Sequence, residues 1–376
     1  MTVLSDRALT RALLARQGLL DRMDATAEEA VERTGAIQAQ HWPAVPVALW
    51  SRVQDFQADD LYRALDAREL LMGTLLRGTL HVVSARQHPR YAAVVRDSGA
   101  AGWQRTDFES PPEVDVLRAE LVAHAATPRP PDELIAFIEA WIERHRPAIA
   151  EPELAFQRGY RWRPLIASCG LVRGPAGGRW DGAKPPAASV APPAPAHASA
   201  EEALDAVVRW HLRAFGPAAA DDVAGWIGWR TPPVRAALER LGPELVRFRD
   251  EAGRTLHDLP DAPRPEPDAP APVRLLPWFD SVLLAYAPRH RARILPEAYR
   301  DRVYLRANLQ WLPTILVDGL VAGTWSVQAG RREAVLSLRP FAELPGPVRR
   351  ELTDEAERLV RFLRPDASAH RVSVDV

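Results

Sequence analysis

The chain holds one cysteine, Cys169, and one lysine, Lys184, among its 376 residues. A lone sulfur excludes an internal disulfide framework and any thiolate zinc cluster, because each needs several sulfurs converging. Cys169 is therefore expected to serve as a small buried hydrophobe. Schiff-base chemistry through lysine has only Lys184 to draw on, and that residue lies in a Pro/Ala-rich stretch badly placed for a preorganised site. The ten histidines contain no His-x-x-x-His pair, so no metal site is expected, and no cofactor is expected either. Long apolar runs are missing too: nothing reaches the roughly eighteen uncharged apolar residues that span a bilayer. The opening MTVLSDRALT lacks a basic start followed by an apolar run, and a cytoplasmic protein is the expectation. Nor does one sign of charge dominate, with 48 basic and 49 acidic residues and a net charge of −1.

Position matters more than the sum for a polyanionic partner. Residues 201–273 carry 9 basic and 13 acidic side chains, whereas 274–376 carry 16 and 12. The densest basic run is Arg289, Arg291, Arg293, Arg300, Arg302 and Arg306, opposed within it only by Glu297 and Asp301. A solvated face and a phosphate-contacting stripe both fit this pattern.

Hydrophobic content of 47% supports well-buried domains, and punctuation divides the chain. Repeated prolines at 184–199 and 260–272 remove backbone donors and mark linkers or long surface loops. Around them one order recurs three times: helix, helix, helix, strand, tight turn, strand. The first copy has helices expected over 5–17, with Ser5 as N-cap, then 26–37 and 58–70, and two strands in 71–84 split by Arg77-Gly78. A helix over 86–105 bridges to the second copy, with helices over 113–125, 131–144 and 151–168. Strands at 170–174 and 179–182 follow, joined by Pro175-Ala176-Gly177-Gly178. The third copy reads 201–215, 219–229 and 232–241, then an alternating hairpin over 244–250 and 255–259. This is the plan of a winged helix, whose third helix usually enters the major groove. Here the first such helix carries Asp59, Asp60, Asp66 and Glu69, which argues against a sequence-specific repressor. Beyond Pro272 strands dominate, at 273–276, 281–286, 314–317, 320–328 and 333–339, with Asp318-Gly319 a strong hairpin turn. A helix over 346–363 and a strand over 370–374 close the chain. The expected fold is α+β, with winged-helix units at 1–108, 109–184 and 200–259 and linkers at 185–199 and 260–272. A β-rich domain fills 273–376.

Five short motifs, Ile37-Gln38-Ala39-Gln40 with Pro43, Leu49-Trp50-Ser51-Arg52, Arg77-Gly78-Thr79-Leu80-His81, Pro277-Trp278-Phe279-Asp280-Ser281 and the Val317–Trp325 hairpin, stand in an order that resembles the AlkZ and YcaQ winged-helix DNA glycosylases. The resemblance runs through nearly the whole chain. It implies tandem winged helices and a β-rich C-terminal domain forming a C-shaped clamp. It also implies removal of N7-alkylguanine, or unhooking of interstrand crosslinks, in DNA repair or self-resistance to a genotoxin. Gln38 and Gln40 match the Gln-x-Gln signature of the AlkZ-like branch, with Ala39 as its apolar centre, so the resemblance makes them the catalytic pair.

A glutamine cannot act as a general base at neutral pH. An N7-alkylated guanine is already cationic, however, and leaves as a neutral base without protonation. Amide dipoles that stabilise the developing oxocarbenium and hold a water then suffice. With lysine so scarce, a monofunctional enzyme that leaves an abasic site is expected. Arg52, Arg77, His81, Arg289, Arg291, Arg293, Arg331 and Arg332 are the candidate DNA contacts. For His81 a structural position between strands is the competing reading; for Arg331 and Arg332, at a hairpin tip, it is an ordinary solvated turn. Asp280-Ser281 has a hydrolase flavour but no histidine placed to activate Ser281. The expected partner is double-stranded DNA bearing alkylated or crosslinked guanine, bound by a monomer. The alternative is a non-catalytic winged-helix DNA-binding protein or transcriptional regulator.

Overall fold

Ser199 starts the most regular part of the molecule: its hydroxyl accepts from Glu202 N while Glu202 accepts from Ser199 N, closing the first turn of helix Ala200–Phe215. Ala203, Leu204, Val207, Val208, His211, Leu212 and Phe215 recur at helical spacing and are buried. Helices Ala220–Ile227 and Thr231–Arg240 follow. The latter opens through Pro232 and Pro233, where the missing N–H groups have no partner to lose. Strands Val246–Asp250 and Thr255–Asp258 then pair antiparallel. In the computed structural model, which describes residues 1–97, 111–174, 178–194, 199–330 and 332–374, this hairpin is completed from the other end of the chain. Strand Val3–Leu4 adds in parallel at Arg249 and Asp250.

Helix Asp6–Arg16, capped by Ser5 as expected, carries the same connection inward. Arg16 grips Asp258 through two bonds of 2.7 and 2.8 Å, and both side chains are buried. The Pro-rich stretch 260–272 returns along this helix instead of acting as a loose tether. Its carbonyls at Pro267, Ala269 and Pro263 accept from Arg7, Arg11 and Arg16 Nε at 2.7, 2.6 and 3.2 Å. A segment poor in backbone donors has carbonyls to spare, and an arginine-lined helix face supplies the donors.

The first two copies share one sheet, in the order Ile37–Gln38, Leu80–Ser84, Leu70–Thr74, Val172–Arg173, Ser189–Val190. Three sequence expectations are corrected here. The partner of Val172–Arg173 is Ser189–Val190, drawn from the supposed linker, and 179–182 is not a strand. Of the proposed turn, Pro175, Ala176 and Gly177 lie outside the described residues. The helix expected over 151–168 is two, Glu151–Gly159 and Arg163–Ser168, broken where Arg161 and Trp162 take left-handed φ of 53° and 58°. A further helix, Ala44–Trp50, with Pro43 and Pro46 at its first turn, had not been expected. Both prolines fall at its start, where they cost no intrahelical bond. Of the bridging helix expected over 86–105, His88–Asp97 is helical, Arg86 and Gln87 form a turn before it, and 98–105 lie outside the described residues.

The C-terminal sheet runs Ala369–Val374, Glu333–Pro340, Leu320–Ala329, Thr314–Val317, Arg274–Leu276. Helix Gly346–Leu363 covers it with Leu352, Ala356, Leu359 and Val360. The expected strand at 281–286 is instead a one-turn helix, Ser281–Leu284, because Asp280 caps it by accepting from Val282 N at 3.1 Å. No described helix is long and apolar enough to cross a membrane.

Candidate active site

Gln38 ends a two-residue strand and lies opposite His81 in the antiparallel register, so the two side chains are cross-strand neighbours. Gln38 is buried, at 7% exposure. Gln40, two residues on and past the strand end, is exposed, and its Oε1 accepts from Leu80 N at 3.3 Å. The strand edge continues between them, with Ala39 N donating to Leu80 O at 2.7 Å.

The turn that links Leu70–Thr74 to Leu80–Ser84 supplies the third member. Arg77 and Gly78 both adopt left-handed φ, 56° and 69°. For arginine this conformation costs roughly 1–2 kcal/mol, and it turns the side chain back over the Gln38 strand. There Arg77 Nη2 donates to Gln38 Oε1 at 3.0 Å and approaches His81 Nε2 at 3.4 Å. Its Nη1 donates to the carbonyl of Trp226, at the C-terminal end of helix Ala220–Ile227, where a cation meets the negative end of the helix dipole. Gly228 permits this docking: a Cβ at that position would stand 3.1–3.3 Å from Arg77 Cγ, Cα and N.

The donor pattern fixes the amide and the imidazole. An arginine N–H can face only the oxygen of Gln38, so Nε2 of the amide points away from Arg77. The Thr79 carbonyl 2.9 Å from His81 Nδ1 can only accept, so Nδ1 carries the proton and Nε2 is the bare nitrogen that meets Arg77. Burial, and then the Arg77 charge, push the His81 pKa down to about 3, leaving it neutral at pH 7. Burial and the nearby Arg291 lower Arg77 to about 10, and it stays cationic.

Beside Gln38 lies a cavity of about 10 Å³, bordered also by Arg52, Trp278 and Asp280, a volume of one water molecule. Arg52 does not reach a DNA-facing surface as the sequence suggested. It is 2% exposed and holds Asp280 at 2.7 and 2.9 Å, with Gln17 Oε1 and the Ala48 carbonyl taking further donors. Trp278 packs against His41, ring centroids 4.8 Å apart, and Phe279 holds a left-handed φ of 56°. Neither had been given a role from sequence. The signal was present in the Pro277–Ser281 motif, but nothing in it says that the segment comes to the Gln38 strand. Ser281 Oγ donates to the Ala36 carbonyl at 3.3 Å.

The remaining arginines scatter. Arg293 is 5% exposed, with its guanidinium 4.0 Å over the Tyr286 ring, so it too is a core cation and not a phosphate contact. Arg291 is half-buried over Trp311 and donates to the Tyr286 carbonyl at 3.1 Å. Arg289 is exposed and pairs with Asp221, and Arg332 is exposed at the hairpin end. Arg331 lies outside the described residues. Asp221, Asp222 and His290 come within 4.8 Å of one another. Asp222 nevertheless spends its oxygens on Ala219 N, Ala287 N and His290 Nδ1, at 3.0, 3.0 and 2.6 Å, as a helix cap. Lys184 is exposed, and Cys169 Sγ, half-buried, donates to Leu165 O at 3.3 Å.

A family model described as DNA glycosylase AlkZ-like matches residues 31–362. An interstrand DNA cross-link repair glycosylase of Streptomyces sahachiroi is 26% identical over 325 residues, covering 84% of this chain and 85% of that protein. The solved structure of Streptomyces sahachiroi DNA glycosylase AlkZ shares the fold, with a TM-score of 0.80 over 100% of both chains at 22% identity.

Proposed function

Because this chain belongs to the AlkZ-like DNA glycosylase family, we propose that it hydrolyses the N-glycosidic bond of N7-alkylated guanine in duplex DNA, with Gln38 and Gln40 at the reacting sugar. The observation that carries this reading is the fixed orientation of Gln38 beside a histidine that stays neutral. Arg77 holds the amide in one orientation, and His81, held near pKa 3, has no proton to give to a departing base at neutral pH. An ordinary nucleobase would leave poorly from such a site. A cationic N7-alkylguanine needs no acid: the C–N bond breaks, the electron pair neutralises the base, and the sugar becomes an oxocarbenium. The second lone pair of Gln38 Oε1 and the amide of Gln40 are suited to stabilise that cation and orient a water. The cavity beside Gln38 has room for one.

A guanine crosslinked through N7 carries the same activation, so repair of such an interstrand crosslink, in line with the name of the Streptomyces sahachiroi relative, falls within this chemistry. The three helix-and-hairpin repeats act as winged helices that clamp the duplex as a monomer, and Arg289, Arg331 and Arg332 contact phosphate. Duplex DNA with one N7-methylguanine, incubated with the protein, should yield free N7-methylguanine and an abasic site, while unmodified DNA yields neither. Sequence-specific binding without base release from any N7-alkylated duplex would overturn the assignment.

A further inference from the structure

A cavity of about 480 Å³ lies apart from Gln38, between helix Thr231–Arg240 and the hairpin Val246–Asp250/Thr255–Asp258. Ligand cavities of this size are usually lined by apolar and aromatic side chains with a few polar groups. This one is lined by Arg235 from the helix, Arg247 and Arg254 from the two sides of the hairpin, and Arg289 from the C-terminal part, against Asp221 and Glu239. Two of the four arginines are committed: Arg289 to Asp221 and Arg254 to Asp250. Even so, Arg254 Nη1 is buried with no acceptor among the described residues. Arg235 and Arg247 have no ion-pair partner among the described residues, and both are exposed. Arg235 and Arg247 thus bring to one wall two guanidinium groups with donors open to an anion. His257, on the same wall, feels this field: burial and then the Arg247 charge lower its pKa.

We propose that this cavity is a binding site for a phosphodiester of the duplex backbone, held by Arg235, Arg247 and Arg254. Guanidinium forks match phosphate oxygens bidentately. The fold also relates the cavity to the candidate active site. Helix Ala220–Ile227 has its first turn, at Ala220 and Asp221, on the cavity wall, and its last turn presents the Trp226 carbonyl to Arg77. Ala220 and Trp226 stand six residues apart along it, about 9 Å of helix rise. The site would thus set how the duplex lies against Gln38 without touching the lesion. The inference rests on the glycosylase reading for the direction of the DNA, but the binding itself is testable separately.

The experiment measures affinity for an undamaged duplex as a function of salt, using the full chain and the double variant Arg235→Ala/Arg247→Ala. Both residues are exposed and unpaired, so the fold should tolerate the change. One lost phosphate contact should flatten the slope of log K against log salt by about 0.9, and Arg235→Lys/Arg247→Lys should restore it. The enzyme concentration that half-saturates release of N7-methylguanine should rise in the double variant. An unchanged salt slope and affinity would overturn the proposal, as would tight binding of inorganic pyrophosphate that leaves duplex affinity untouched. Failure of the wild-type chain to release any base would instead sink the glycosylase reading and leave the salt-slope result standing on its own.

Discussion

Arg77 Nη2 donates to Gln38 Oε1 at 3.0 Å across 39 residues of chain, so the amide is oriented by a cation that itself rests on the end of a helix from another part of the molecule. Removing the donor frees the amide to rotate. Arg77→Ala should lower the single-turnover release of N7-methylguanine at saturating enzyme by about 100-fold, the cost typical of misplacing a reacting group by an ångström. DNA affinity should change little. The opposite pattern, an intact rate with the salt slope reduced by about 0.9, would show that Arg77 grips phosphate instead of positioning Gln38.

Acid should destabilise the fold through buried histidines. His81, His88 and His211 are held near pKa values of about 3, 4 and 4 by burial, below the 6.5 of an exposed imidazole. Between those values the unfolded chain binds protons that the folded chain refuses, so stability is full above pH 6.5 and declines as pH falls toward 4. Each histidine contributes at most about 1.4 kcal/mol per pH unit. Urea midpoints at pH 7 and pH 5 should differ accordingly, while the release rate should show no inflection near pH 6.5. An inflection there would identify a titrating histidine in the chemistry.

Arg52 and Asp280 form a buried bidentate pair. Breaking such a pair strands a charge and costs about 3–5 kcal/mol. Arg52→Ala should therefore lower the urea midpoint markedly and leave the salt dependence of DNA binding unchanged; Arg332→Ala should do the reverse. A stable Arg52→Ala protein with weakened DNA binding would return Arg52 to the phosphate contacts.

Borohydride added during reaction on N7-methylguanine DNA should trap no covalent adduct, since the one lysine, Lys184, is exposed in the Pro/Ala-rich stretch. An adduct visible on a denaturing gel would contradict hydrolysis by water and require an amine nucleophile.

Much of this architecture was legible locally. Ser5 announced its helix, and Asp318-Gly319 its hairpin, because caps and tight turns depend on a few adjacent residues, whereas the helix expected over 26–37 ends at Thr34 and gives way to strand at Ile37. Long-range pairing was not. Nothing in Val3-Leu4 says that it joins Arg249-Asp250, or that Ser189-Val190 completes the sheet of Leu70–Thr74. The apolar run from Ser281 reads as a strand until Asp280 is seen capping it. Arg52 and Arg293 look like surface cations in sequence and prove to be core ones, since only the fold supplies Asp280 and the Tyr286 ring. Gln38 and Gln40 were singled out only through resemblance; the Arg77 bond to Gln38 required the turn to fold back on the strand.

The most direct measurement is the single-turnover rate of N7-methylguanine release, at saturating enzyme, for wild type, Gln38→Ala and Gln40→Ala. Loss of a preorganised dipole at the developing oxocarbenium should slow each variant by about 100-fold or more while melting temperature and duplex affinity stay close to wild type. Rates within twofold of wild type in both variants would contradict a catalytic role for these glutamines.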